Sequence, residues 1–168
     1  MASMSRRGVE GVSAVAKVVT VNELASPLNV QIPMEVPTSR HRFLDYFRGF
    51  EKVEAVRETF GEESDRVLEG LQVEFFGSKL GYMGVSDEDG YLLASADYLK
   101  NGNWRDIYLD VVHELVHVRQ FKEGKELFDE SFEYVDRPTE LQAYRHTVKE
   151  ARRLGMTDDE ISDYLKVT

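Results

Sequence analysis

The chain has 168 residues, 42% hydrophobic and 11% aromatic, which suffices for the core of one ordinary domain and excludes wholesale disorder. A formal net charge of -10 gives a solubilising surface that repels phosphate backbones, so no nucleic-acid partner is expected. The absence of cysteine rules out disulfides, a Cys-ligated metal and a Cys nucleophile, and no apolar run reaches the length of about 18 residues that a membrane span needs.

At the N-terminus, Arg6 and Arg7 precede a short apolar stretch at 12–16 that stops at Lys17, too short for a convincing signal peptide. The expectation is a water-soluble protein, cytoplasmic by default, with compartment and oligomeric state left open. Residues 1–38 hold three of the four prolines (Pro27, Pro33, Pro37) and few aromatics. Residues 18–21 and 29–32 read as short strands. This segment is expected to be an extended N-terminal arm or a pro-segment, with 39–168 as the compact domain. From Ser39, the residues Phe43, Phe47, Phe50 and Val53 recur every three to four positions, with Leu44 and Tyr46 widening the stripe. That spacing predicts one helix to about Phe60, stopped by Gly61, and a second short helix over 62–71.

Three strand-like runs follow at 71–76, 80–85 and 91–99, punctuated by Gly77, Gly81 and Gly90, with a turn at Asp87-Glu88-Asp89-Gly90. They predict a small antiparallel meander. A long helix is expected over 104–121 with Asn103 as N-cap and Gly124 as its stop. Its apolar face carries Ile107, Val111, Val112, Leu115 and Val118, with Asp110, His113, Glu114 and His117 opposite. A loop over 125–137 leads to a helix opened by Pro138 and running to about 154. Thr157 and Glu160 form a capping box for a last short helix. The fold class is therefore α+β: a small, mainly antiparallel sheet packed on the long helix and its companions.

The chemistry concentrates at His113-Glu114-Leu115-Val116-His117. Positions i and i+4 of a helix share one face, so two imidazoles there can converge on one ion. Glu114, beside the first histidine, can reach a water held at that ion and serve as general base rather than ligand. Two histidines flanking a glutamate at this spacing favour Zn2+, although two His and one carboxylate also suit non-haem iron. The bland reading is a surface helix that happens to carry two histidines.

This H-E-x-x-H motif resembles the zincin metallopeptidases over about residues 106–154. The resemblance implies a third protein ligand downstream, a peptide or protein substrate, and a zincin-like catalytic domain over 39–168. Residues 118–123 do not continue as the metzincin H-x-x-G-x-x-H, so that branch is excluded. The gluzincins take a glutamate from a following helix. Glu140, in Arg137-Pro138-Thr139-Glu140-Leu141, fits that role, with Ala143 leaving room on the same face. Rivals for the position are His146, Glu130, Asp129 and Asp136; His146 lies almost opposite Glu140 on their helix. The position four residues after Glu140 is Tyr144, where thermolysin-like enzymes carry an aspartate. Tyr134 and Tyr144 are candidates for stabilising an oxyanion, or else ordinary half-buried tyrosines. Asp110 either orients a ligand histidine or is a surface carboxylate. By the same resemblance the 91–99 run would be the edge strand lining the cleft. The expected function is zinc-dependent peptide hydrolysis; the alternative is a non-catalytic zinc-binding regulatory or structural domain.

Overall fold

The computed structural model describes residues 16–20, 29–78, 82–134 and 137–166. Strand β1 (Ala16–Thr20) pairs antiparallel with β2 (Asn29–Pro33), Lys17 opposite Ile32 and Val19 opposite Val30. Alternation along β2 turns Val30 and Ile32 inward, at 2% and 1% exposure, where they join the main core. The rest of the first 28 residues, including Arg6, Arg7 and most of the 12–16 stretch, lies outside the described residues.

The single helix expected over 39–60 is broken into β3 (Arg40–Arg42), α1 (Phe43–Tyr46), a 3-10 turn at Phe50–Lys52 and α2 (Glu54–Phe60). The break falls at Gly49, whose φ is +94°; a Cβ there would stand 2.3 Å from the Asn29 carbonyl oxygen of the passing β2 backbone. The apolar stripe still reports burial correctly. Phe43, Phe47 and Phe50 are fully buried, with ring centroids 4.9 to 6.0 Å apart. After α3 (Ser64–Gly70) come β4 (Gln72–Phe76), β5 (Met83–Val85) and β6 (Leu92–Ser95).

These strands do not form the expected meander. The sheet order is β3-β4-β6-β5, with β4 and β6 parallel and the two outer pairings antiparallel. The apolar run Leu92 to Ser95 takes an inner position beside β4, and the short Gly84-containing strand takes one of the two edges. The expected strand over 91–99 ends at Ser95. There the hydroxyl accepts from the Tyr98 backbone N–H at 3.2 Å and caps α4 (Ala96–Asn101). The turn before β6 is as read: Gly90 N–H donates to Ser86 O at 3.0 Å, with Gly90 at φ +75°.

Helix α5 (Trp104–Lys122) starts at Asn103, whose side-chain oxygen accepts from the N–H groups of Arg105 and Asp106 at 2.8 and 3.4 Å. Every residue from Ile107 to Val118 is buried except Glu114. The helix is thus central, packed against α2, β2 and β5, with α6 (Pro138–Arg153) covering the histidines. In α7 (Asp158–Lys166) the capping box forms in both directions: Thr157 N–H to Glu160 Oε1 at 2.8 Å, and Glu160 N–H to Thr157 Oγ1 at 3.1 Å. No helix among the described residues is long and apolar enough to cross a membrane.

Candidate metal centre

Helical spacing puts His113 and His117 one turn apart on α5, each 5% exposed, with ring centroids 4.9 Å apart. Pro138 fixes the first turn of α6, and Glu140 sits in that turn, where a carboxylate also complements the helix N-terminus. The packing of α6 on α5 brings Glu140 Oε1 to 3.1 Å from His113 Nε2 and Oε2 to 3.2 Å from His117 Nε2. One ligand atom from each residue lies within 4.8 Å of the other two. Ligands about 2.0–2.1 Å from a tetrahedral ion stand about 3.3 Å apart, so the two His–Glu separations suit a shared cation.

The outer ring nitrogens decide what the inner ones can do. Thr147 gives its only hydroxyl proton to Ala143 O at 2.7 Å, so its oxygen accepts from His113 Nδ1–H at 3.2 Å. Gln120 is oriented by its amide nitrogen, which donates to Thr139 O at 3.1 Å and to Gln142 Oε1 at 2.6 Å. Its oxygen therefore faces His117 and accepts from Nδ1–H at 2.7 Å. Both histidines thus carry a proton on Nδ1, and each Nε2 faces the Glu140 carboxylate with either a second proton to donate to it or a lone pair to offer a cation. Acceptors facing acceptors repel unless a cation or a proton lies between them. His117 Nε2 is buried, and its 3.2 Å contact with Glu140 Oε2 lacks the geometry of a well-formed hydrogen bond.

The electrostatics show the proton-bound alternative to a cation at this position. Burial opposes ionisation of Glu140, but its hydrogen bonds to His113 and His117 and their charges outweigh that and hold its carboxyl down at about 2. Burial likewise opposes a charged His117, yet Glu140 and Glu114 leave its pKa raised. Glu114 stands outside the ligand cluster and keeps part of its surface open to a cleft of about 270 Å³. Burial raises its carboxyl, against the pull of the two histidines.

Of the two tyrosines singled out in the sequence, Tyr134 lines this cleft and Tyr144 stands beside His113. Tyr144 packs its ring 4.6 Å from that of His113, and Tyr134 lines the opening and hydrogen-bonds Tyr144. Burial and the nearby carboxylates raise the Tyr134 pKa, so its phenol stays protonated and can donate. The cleft's far wall is β5, through Met83 and Val85. The edge strand is therefore β5 rather than the 91–99 run, which lies inside the sheet.

The rivals for the third ligand that lie among the described residues are elsewhere. His146 Nε2 reaches Ala55 O at 2.9 Å and Thr59 Oγ1 at 3.0 Å on α2. Asp129 accepts from Ser131 N–H and hydroxyl, Glu130 is exposed, and Asp136 lies outside the described residues. Asp110 is neither a surface carboxylate nor an orienter of a ligand histidine. It is 8% exposed and accepts 2.5 Å hydrogen bonds from Tyr98 of α4 and Tyr164 of α7. The residues that do orient the histidines, Gln120 and Thr147, are absent from the sequence reading. Their signal was available: Gln120 follows His117 by three positions and Thr147 follows Glu140 by seven, each on its partner's helix face. No known protein family, curated protein or solved structure matches the chain.

Proposed function

We propose that the chain is a zinc-dependent peptidase of the zincin type, with His113, His117 and Glu140 as the metal ligands and Glu114 as general base. One observation carries the reading. Two Nε2 atoms, each ring oriented by a hydrogen bond at Nδ1, converge on one carboxylate beside a cleft into which Glu114 opens. Zinc, when bound, supplies Lewis acidity toward water and a scissile carbonyl. Glu114 accepts the proton of the attacking water at its carboxylate and returns it to the leaving amine. Tyr134 lines the cleft, where its phenol can donate to the developing oxyanion, and Tyr144, beside His113, hydrogen-bonds it. An extended peptide suits the free edge of β5: Tyr82 and Ser86 bond toward β6, which turns the backbone groups of Met83 and Val85 outward.

A structural or regulatory zinc domain would call for a fourth protein ligand, and among the described residues the cluster has three. The test is metal analysis of the chain purified without added zinc or chelator, together with hydrolysis of casein. About one zinc per chain is expected, lost in the His113→Ala, His117→Ala double variant. Glu114→Gln should keep zinc and lose hydrolysis, whereas Glu140→Ala should weaken zinc itself. A metal-free wild type, or a Glu114→Gln variant that loses zinc while Glu140→Ala retains it, would overturn the assignment.

A further inference from the structure

A second cavity, of about 360 Å³, opens where α2, α5 and α6 meet and shares no lining residue with the metal cleft. Its charge runs against that of the molecule. In a chain of net charge -10, Arg119, Arg145 and Lys149 converge here against a single acid, Glu58. Glu58 is already shared between Lys149 at 3.3 Å and Arg153 at 3.1 Å. Arg119 is held in place by Thr59 O at 2.6 Å and Glu123 Oε2 at 3.0 Å. Arg145, four residues before Lys149 and so on the same face of α6, makes no hydrogen bond or ion pair among the described residues. The three cations are exposed to solvent, and the concave, partly apolar wall focuses their field on the cavity.

The pocket also reaches the metal centre by a chain of polar contacts. Gln142 lines it and uses its side-chain oxygen to accept from Gln120 at 2.6 Å, which leaves the Gln142 amide N–H groups as donors for a ligand. Gln120 in turn accepts from His117 Nδ1–H at 2.7 Å.

We propose that this pocket is an effector site for a phosphate group, bound by Arg145, Lys149 and the Gln142 amide, and that its occupancy is felt at His117 through Gln142 and Gln120. A guanidinium fork, an ammonium and an amide donor match a tetrahedral oxyanion. The cavity has room for a phosphate borne by a small organic molecule as well as for the free ion. The site does not depend on the peptidase reading, because binding can be followed without metal.

The experiment is isothermal titration of the full chain with inorganic phosphate and with glycerol 3-phosphate at constant ionic strength, chloride being the balancing ion. Saturable one-site binding is expected, about tenfold or more weaker in Arg145→Ala and abolished in Arg145→Glu. Arg66→Ala, an exposed cation outside the pocket, should leave it unchanged. Tighter binding of the monoester would identify an organic phosphate as the ligand, and equal binding the free ion. Non-saturable heats, or equal affinity in the Arg145 variants, would overturn the site. The link is read from the His117 ring nitrogens by NMR in the same metal-free protein. Their resonances should move on saturation in the wild type and stay still in Gln142→Ala. Binding without any movement in the wild type would overturn the coupling.

Discussion

Replacing Gln120 by leucine separates the metal site from the fold. Gln120 is 1% exposed, and its oxygen accepts from His117 Nδ1–H at 2.7 Å. Leucine fills nearly the same volume but accepts nothing, so the buried N–H is left unpaired at a cost of about 1–3 kcal/mol. The metal-free protein has an escape: the proton moves to Nε2, where Glu140 Oε2 waits 3.2 Å away. That escape places the proton on the atom the ion needs. The cost therefore falls on the metal-bound state, and about 1–3 kcal/mol corresponds to zinc binding weakened about 5- to 150-fold. Loss of an outer partner of a ligating histidine costs about 10- to 100-fold elsewhere, which agrees. The assay is competition with a chromophoric chelator for zinc, alongside thermal melts of metal-free wild type and variant. Weakened zinc binding with a small change in the metal-free melting temperature is expected. Unchanged zinc affinity, with the variant folded, would refute the idea that Gln120 sets the His117 tautomer.

Three further outcomes are expected. Burial pushes the Asp110 carboxyl up to about 6, against the hydrogen bonds from Tyr164 and Tyr98. An acid whose folded pKa lies above its unfolded value stabilises the fold where it is protonated, below about pH 4, and that contribution is lost as pH rises through about 6. Relative to Asp110→Asn, the wild type should lose up to about 3 kcal/mol in urea melts between pH 4 and 6, and parallel curves would refute this. Removal of residues 1–36 deletes Val30 and Ile32 from the core, at about 1.5–3 kcal/mol each. The melting temperature should fall steeply with no gain in casein hydrolysis; a stable, newly active truncated chain would instead make the arm an inhibitory pro-segment. Gly49→Ala forces a Cβ toward the Asn29 carbonyl at positive φ and should destabilise by about 1–3 kcal/mol or more, measured by calorimetry. An unchanged melting temperature would show that β2 does not pass there.

Local chemistry was legible in the residues alone. The cap at Asn103, the stop at Gly124, proline at the head of α6 and the Thr157–Glu160 box each depend on contacts within a few residues, and each stands where the spacing placed it. The pairing of His113 with His117 is equally local, because one helical turn enforces it. The phenylalanine stripe at 43–50 marked the core but not the helix, since burial follows from apolarity while the break at Gly49 follows from a strand that crosses it. Strand order escaped the sequence for the same reason. Propensity says that 83–85 and 92–95 are extended, and only packing decides that β6 lies between β4 and β5. The roles of Asp110, Gln120 and His146 were likewise settled by partners far away in the chain or on a neighbouring helix: Tyr164, Thr139 and Ala55. A side chain's spacing along its own helix is written in the residues beside it. Its partner on another element is chosen by how whole helices and strands dock, a sum over many contacts that no short stretch of sequence contains.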